Sequence, residues 1–388
     1  VQLEGDYPLE LALGWHLSQG ESIRVDGEGR VGGNLKRLTV EHELSGSAGV
    51  RLAAVVEAVL DAPSWDGKIE ILNLDLPAFQ ADMPAAAVTG LLQTRGDLKD
   101  ARVTGNLSGE APDLPDFGRL RVDIDLTWSG QVLEIAALEL TEDKSGAHLT
   151  AGGQVDLNPP DGRFELAAAW EKLRWPLTGE LLAEARQGKV DAEGSFDAFA
   201  YKASAEVWGR DFPQALLHLE GEGDARGTRV GALVVDVLEG KVEARGSLAW
   251  APELGWDLTL SARDIDPGAQ WPEVPAKIGL ELTSTGGLES FDYSLDGELE
   301  SAAVPSAKLA LQGSGDQRGT RITSLRLDTL DGHVEGAAEM GWDPQVRWEA
   351  ELTAEGIDPG EQWTEWSGVV GGRVASSGTL EDEGPDLN

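Results

Sequence analysis

The residues able to do chemistry are few in this sequence, and their spacing does not form a recognisable site. Cysteine is absent, which excludes disulfides and thiol chemistry. Histidine occurs five times, and no two positions have the spacing of metal ligands. The histidines are His16, His42, His148, His218 and His333. We therefore predict no metal site and no cofactor.

Carboxylate pairs and glycine-rich segments give no stronger signal. Asp123 with Asp125, and Asp264 with Asp266, are two residues apart in alternating segments, so each pair is expected to share the solvent face of a strand. The segment GEGRVG (27–32) fits a nucleotide-loop pattern, but no helix follows it and Glu28 would repel a phosphate. No GxSxG motif is present. We predict that the protein is not an enzyme.

The charge of the chain restricts its partners. Lys and Arg number 31 and Asp and Glu number 69, so the formal net charge is −38. Such a surface repels a nucleic-acid backbone and keeps a protein soluble. A nucleic-acid partner is therefore excluded, and a monomer is expected.

Alternation of apolar and polar residues is the main structural signal. In RVDIDLTW (121–128) every second residue is apolar, and the same period of two recurs through much of the chain. This period is typical of strands with one apolar and one wet face. It also favours a strand over a helix at 50–60. Short clusters of Gly, Pro, Asn and Asp separate the strands at hairpin distances. The sequence predicts an all-β protein.

The chain repeats itself at long intervals. Residues 223–271 and 315–363 align without gaps at an offset of 92, with 23 of 49 positions identical, and both end in IDPG-x-QW. A hairpin marker, GDLKD (96–100), recurs as GSFDA (194–198), GGLES (286–290) and GTLED (378–382). We predict one repetitive β-region over 1–388, with units of about seven strands. The predicted units are 1–95 (irregular), 96–193, 194–285 and 286–377, and 378–388 begins the next.

The architecture follows from strands that no helix covers. A β-solenoid repeats every 20–30 residues, and stacked sandwiches would need linkers that the sequence lacks. The predicted fold is therefore an elongated, continuous antiparallel sheet folded into a hydrophobic groove, called a β-taco.

Tryptophan recurs with the repeat and allows two interpretations. Trp250, Trp256 and Trp271 return as Trp342, Trp348 and Trp363. These side chains could be buried to close the groove, or they could contact a ligand directly. Small residues share the apolar face and are expected to leave hollows in it. They are Ala244, Gly246, Gly336 and Ala338.

Two segments resemble a known family. DLNPPDGRFELAAAWEKLRWPLTG (156–179) and GSFDAFAYKASAEVWG (194–209) resemble the periplasmic region of the TamB proteins of Gram-negative bacteria, the subunits of the translocation and assembly module. The RWPL tetrad (Arg174 to Leu177), the hairpin markers and the repeated W-x-x-x-L…I-D-P blocks carry the resemblance, which covers most of the chain.

The resemblance implies a fragment of a periplasmic protein that is anchored in the inner membrane outside this sequence. It implies a groove that carries phospholipid between the inner and outer membranes, and a link to outer-membrane protein assembly. It also implies a TamA-type outer-membrane barrel as partner, docked by regions beyond this sequence. The alternatives are a secreted β-rich scaffold or adhesin without transport, or a chaperone-like binder of outer-membrane β-strands.

The apolar alternation and the resemblance together give candidate groove-lining, lipid-binding residues. They are Val122, Ile124, Leu126, Trp128, Leu149, Val155, Phe164, Leu166, Val190, Phe196, Val242, Leu248, Trp250, Trp256, Leu258, Leu260, Ile278, Leu280, Leu282, Phe291, Tyr293, Leu295, Leu309, Leu311, Val334, Met340, Trp342, Trp348 and Leu352.

Overall fold

The computed structural model describes residues 7–19, 23–74, 76–79, 86–111, 117–158, 162–176, 179–210, 212–343, 345–381 and 384–387. In these residues it has 25 strands, one single-turn α-helix and two 3₁₀-helices, and the predicted all-β class is confirmed. None of the described helices is long and apolar enough to cross a membrane. Leu177 of the RWPL tetrad and Asp382 of the last hairpin marker lie outside the described residues.

The chain forms two compact units. The first comprises Val1–Phe196 with Val207–Asp211, and the second comprises Asp197–Glu206 with Phe212–Asn388. Strand β13 (Ala198–Gly209) contributes residues to both. The repeat boundaries expected from the sequence are a finer division than these two units and stay a prediction.

The first unit is an antiparallel meander in which each strand from β1 to β12 pairs with the next along the chain. Its elements are β1 (Pro8–Gln19), β2 (Ile23–Asn34), β3 (Arg37–Gly46), β4 (Ala48–Glu57), β5 (Ser64–Leu74), α1 (Leu76–Phe79), β6 (Ala87–Asp97), β7 (Asp100–Glu110), β8 (Leu120–Ser129), β9 (Val132–Glu142), β10 (His148–Asp156), β11 (Arg163–Trp175) and β12 (Ala183–Ser195). The segment 50–60 is a strand only as far as Glu57, since Ala58 has a φ of 49°.

The second unit has the same design from β14 to β25. Its elements are β14 (Ala215–Gly223), β15 (Gly227–Val237), β16 (Gly240–Ala249), β17 (Gly255–Ile265), a 3₁₀-helix (Pro267–Ala269), β18 (Lys277–Gly287), β19 (Phe291–Glu300), β20 (Ala307–Asp316), β21 (Gly319–Thr329), β22 (Gly332–Gly341), β23 (Arg347–Ile357), a 3₁₀-helix (Pro359–Glu361), β24 (Val370–Glu381) and β25 (Gly384–Leu387).

One 92-residue repeat contains six strands, whereas about seven were expected. β14 begins at Ala215 and β20, six strands later, begins at Ala307. The difference comes from the IDPG-x-QW motif, which ends a strand and builds a long loop instead of another strand. The strands pair in the same register in both copies of the repeat, and β15 and β21 each carry a bulge at the equivalent position.

The IDPG-x-QW motif forms a capped 3₁₀-helix in each copy. The Oδ1 atoms of Asp266 and Asp358 accept hydrogen bonds from the backbone N–H groups of Gly268 and Gly360, at 2.8 and 2.9 Å. Proline follows each aspartate, and its fixed φ suits the first helical position. Asp266 therefore caps a helix, and the expectation that it shares a strand's solvent face with Asp264 is wrong.

Neither unit has a packed core in its described residues. No large side chain is fully buried, and the buried apolar residues are Val25, Ala48, Ala215, Ala262 and Ala276. Each strand buries its apolar side only against neighbouring strands, so one face of each sheet is left uncovered. The predicted open antiparallel sheet is confirmed.

A buried carboxylate fixes two loops of the first unit. Glu142 is 4% exposed, and its Oε1 accepts hydrogen bonds from the backbone N–H groups of Gly118 (2.7 Å) and Lys144 (2.8 Å). Its Oε2 accepts from the backbone N–H (2.7 Å) and hydroxyl of Ser145. Burial by itself would raise the pKa of Glu142, but these hydrogen bonds outweigh it and lower the pKa below the ordinary value of 4.5.

We expect Glu142→Gln to lower the free energy of unfolding of the first unit by about 1–3 kcal/mol at neutral pH, because the amide nitrogen would face two donors. Since the folded pKa is depressed, the stabilisation is present above pH 4.5 and is lost as the pH falls through the folded value. Urea unfolding and amide exchange at Gly118, Lys144 and Ser145 measure this. Glu134→Gln, exposed on the same strand, is the control; an equal loss in both variants would contradict the assignment.

Candidate functional site

The uncovered apolar face is the candidate functional site, and in the first unit it is built from rows of directly opposed residues. One row runs through Leu107, Val122, Leu140, Leu149, Trp170 and Gly188. Parallel rows pass through Ile124, Leu126 and Trp128. The predicted residues that share this face are Val122, Ile124, Leu126, Trp128, Leu149, Val155, Phe164, Leu166 and Val190. Phe196 lies just beyond β12, with its ring centroid 5.7 Å from that of Phe164.

In the second unit the face has four rows, and two of them are purely aliphatic. We call them the edge row and the leucine row. The edge row, on the side of the 3₁₀-helices, consists of Val235, Val242, Ala262, Leu280, Gly297, Leu309, Leu327, Val334 and Ala354. The leucine row beside it consists of Leu233, Ala244, Leu260, Leu282, Leu295, Leu311, Leu325, Gly336 and Leu352.

The other two rows contain hydroxyl, aromatic and glycine residues. The hydroxyl row consists of Val230, Gly246, Leu258, Ser284, Tyr293, Gly313, Ile322, Ala338, Ala350 and Ser376. The aromatic row consists of Thr228, Leu248, Trp256, Gly286, Phe291, Gly315, Thr320, Met340 and Trp348.

The structure places most of the predicted residues of this unit on these rows. Ile278 precedes Leu280 on the same face of β18 and lies opposite Ile265. Trp250 and Trp342 are the exceptions, because they follow the ends of β16 and β22. Their indole N–H groups donate to the backbone oxygens of Ala225 (3.0 Å) and Gln317 (2.8 Å) in the neighbouring turns. They therefore fasten adjacent hairpins at the end of the sheet, and their role in lining the groove stays a prediction.

Aromatic rings lie across the glycines of neighbouring strands. A Cβ added at Gly313 would meet the Tyr293 hydroxyl at 2.5 Å, and one at Gly188 would meet the Trp170 ring at 2.3 Å. At Gly336 the leucine opposite, Leu352, fills the same space, with its Cδ2 at 2.7 Å. The expectation that small residues leave hollows is therefore wrong at Gly336, because a side chain of the adjacent strand fills the space.

In the second unit, several polar atoms of the face are paired with one another. The indole N–H groups of Trp256 and Trp348 donate to the Ser284 and Ser376 hydroxyls, at 2.9 and 3.3 Å. The hydroxyls of Tyr293 and Thr320 are 2.6 Å apart, and Tyr201 and Thr228 repeat that pair at 2.7 Å. These pairs satisfy the hydrogen-bonding groups of the residues that form them, whereas the buried indole N–H of Trp170, on the face of the first unit, has no hydrogen-bond partner.

The two interpretations of the recurrent tryptophans can now be separated. Trp250, Trp271, Trp342 and Trp363 are 40–48% exposed, so burial to close the groove is wrong for these four. Trp256 and Trp348 are half-buried on the apolar face, where a bound ligand would contact them.

Sequence reasoning did not assign the face of the first strands. The rows of the first unit continue there through Leu52, Ile69 and Leu92, which occupy directly opposed positions. His42 lies in the same row, with its ring stacked on Trp15 at 5.9 Å and its Nε2 accepting the indole N–H at 3.1 Å. The sequence signal for this face was the alternation of side chains with a period of two at 50–57.

The opposite face is charged and wet. The Arg102 guanidinium on β7 donates to Asp125 on the adjacent strand β8, with Nε 2.9 Å from Oδ1. This hydrogen bond lowers the pKa of the Asp125 carboxyl. His148 pairs with Glu139 at 2.9 Å, and His16 pairs with Asp26 at 2.7 Å. Among the described residues, no group of three or more His, Cys, Asp or Glu could hold a metal ion.

The rows, the charged back and the repeated hairpins define a class: repetitive antiparallel β-proteins whose units each carry an uncovered hydrophobic face. The family model for the N-terminal domain of TamB matches residues 121–290 and 279–388. The chain belongs to the TamB family.

A curated relative agrees with this assignment. The translocation and assembly module subunit TamB of Haemophilus influenzae is 22% identical over 351 residues, which cover 85% of this chain. The chain spans about a quarter of the length of that relative.

A glycine covered by a ring should not tolerate a side chain. We expect Gly313→Ala to lower the free energy of unfolding by about 1–3 kcal/mol, because its Cβ would displace Tyr293 from Thr320. Gly297→Ala is the matched control on the neighbouring strand of the same face, where the nearest atom to a new Cβ is 3.6 Å away. Urea unfolding of both variants tests this, and equal midpoints would show that the ring does not need the glycine.

Proposed function

We propose that the apolar face binds the acyl chains of phospholipids and forms part of a path for lipid between the inner and outer membranes. The observation that supports this most strongly is the run of leucines from five consecutive strands, Leu260, Leu282, Leu295, Leu311 and Leu325, on a face that no other element of its unit covers. An exposed apolar surface of this continuity is typical of a binding surface.

The energetics suit a path better than a tight site. An acyl chain gains about 0.8 kcal/mol for each CH₂ group that leaves water. The face is shallow, because rings and leucines fill the space at its glycines. Successive strands offer nearly the same row of side chains, so a lipid can move along a row without leaving a deep energy well.

In this proposal the repeat supplies length. Each repeat adds six strands, which at about 4.8 Å a strand extend the face by about 29 Å. The Haemophilus relative is named as a subunit of a translocation and assembly module. We place this chain in the periplasm, as part of a protein anchored in the inner membrane, with a TamA-type barrel as the outer-membrane partner.

The chaperone-like alternative uses the same face for the apolar side of a client β-strand. The name of the relative, which includes assembly, supports keeping it as a second candidate. Native mass spectrometry of the purified chain separates the possibilities. Bound phospholipid supports the lipid path, bound outer-membrane polypeptide supports the chaperone, and a clean mass of the chain alone supports a scaffold.

An acidic residue on the leucine row should block lipid binding. Ala244→Asp places a carboxylate between Leu233 and Leu260, and binding an acyl chain over it would bury an unpaired charge. Ala337→Asp is the control, because Ala337 is exposed and lies on the opposite face of β22, the repeat equivalent of β16. We expect at least tenfold weaker binding of a fluorescent phospholipid for the first variant and no change for the second. Equal binding by both would exclude this row from the path.

Removal of one repeat should leave a folded chain. Deletion of 219–310 removes 92 residues and joins His218 to Leu311, the repeat equivalent of Leu219, so the strand keeps its face. Deletion of 219–309 removes only 91 residues and so leaves one extra residue at the junction. From there on, each side chain of the strand would lie on the opposite face of the sheet. We expect circular dichroism and urea unfolding to show a native sheet for the first and a destabilised one for the second. A destabilised first variant would refute the six-strand unit.

A further inference from the structure

The apolar face of the second unit differs from one end of its strands to the other. At the end with the 3₁₀-helices lie the edge row and the leucine row, which contain only Val, Ala, Leu and Gly. At the other end lie the hydroxyl row and the aromatic row, with hydroxyls at Ser284, Tyr293 and Thr320. The hydroxyl and aromatic side chains are therefore confined to one end of the strands, where they alternate with Gly, Ala and aliphatic residues along each row.

We propose that a phospholipid on this unit lies in one orientation, with its acyl ends over the edge and leucine rows and its ester and phosphate end beyond the aromatic row. The inference rests on the proposed function and adds the orientation of the ligand. Amphiphile chemistry matches the gradient of the face, since the acyl part prefers aliphatic contacts and the ester region tolerates hydroxyl and indole groups.

The dimensions of the rows fit this orientation. Successive rows are two residues apart on a strand, or about 6.6 Å, so the edge and leucine rows together with Ile278 at the end of β18 extend about 13 Å. One leaflet of a bilayer has about 15 Å of hydrocarbon. An acyl chain along the strands therefore finds nearly its own length of aliphatic surface before it reaches the first hydroxyl.

Charged side chains of both signs lie at the two ends of the strands, and an arginine recurs at the aromatic-row end. Beyond the aromatic row, the turns after β14 and β20 carry the exposed Arg226 and Arg318, 92 residues apart. At the other end, the loops 266–276 and 358–369 carry Glu273, Glu361 and Glu365, and Lys241, Lys277 and Lys308 stand at the first or second residue of β16, β18 and β20. Each arginine shares its turn with an aspartate, Asp224 or Asp316, so the proposal assigns the phosphate contact to the two arginine side chains and not to a net positive end of the sheet.

The test uses single cysteines, since the chain has none of its own. Ala350→Cys in the hydroxyl row and Ala354→Cys in the edge row place one environment-sensitive fluorophore at two points of β23. Glu351→Cys places it on the opposite, exposed side of the same strand. The probes are two phosphatidylcholines, one with a nitroxide quencher near the ester and one with it near the terminal methyl of the acyl chain.

We expect the ester-proximal nitroxide to quench the label at Ala350 more than the methyl-proximal one does, and the order to reverse at Ala354. The label at Glu351 should be quenched only as much as the same fluorophore free in solution. Equal or reversed ratios, with strong quenching at both apolar sites, would overturn the orientation and leave lipid binding intact. No quenching at either apolar site, or equal quenching on both faces, would refute the proposed function itself.

A second measurement tests the arginines. Arg226→Gln with Arg318→Gln should weaken binding of the same phosphatidylcholines by about twofold to fivefold for each exposed ion pair lost. Arg321→Gln removes a cation from the opposite face, where Arg321 pairs with Glu339 at 2.8 Å, and should have no effect. Because the control removes one cation and the double variant two, a change in binding free energy for the control as large as half that of the double variant would mean that net charge alone acts and would overturn the role of the two turns.

Discussion

The antiparallel hydrogen-bond ladder is the interaction on which everything else in this protein depends. Neither unit has a packed core in its described residues, so strand pairing and cross-strand side-chain contacts must supply the stability that burial supplies elsewhere. The ladder also fixes which side each residue faces, because a slip of one residue would turn every leucine of a strand to the charged side. The bulge after Val230 returns after Ile322, so both copies keep the same phase.

A sheet face that no second layer covers has to fill its own gaps and pair its own polar groups. Rings placed flat across glycines supply apolar contact at positions where a side chain would not fit. In the second unit, hydroxyl and indole groups satisfy each other in pairs on the apolar face. Both arrangements recur at equivalent residues, such as Tyr201 with Thr228 and Tyr293 with Thr320.

Much of this fold could be predicted from the sequence, because a period of two is a direct consequence of strand geometry. The alternation in 121–128 gave the strand and its apolar side, and the 92-residue offset gave the equivalence of Trp256 and Trp348. Features that depend on contacts between neighbouring strands could not be predicted in the same way. The ring of Tyr293 covers Gly313 because of register, and no spacing within a single strand contains that information. The 3₁₀-helices were missed for a different reason, since a capping aspartate within an alternating segment reads as one more solvent-facing residue.

The pairing of each strand with the next one along the chain has a consequence for how the protein forms. Within each unit every described pairing joins sequence neighbours, so a strand can dock as soon as the strand after it has been made. The contact order is correspondingly low for a β-protein, and the entropy lost on closing each hairpin loop is small. Folding can therefore advance hairpin by hairpin along the chain, with the last docked strand as the template for the next.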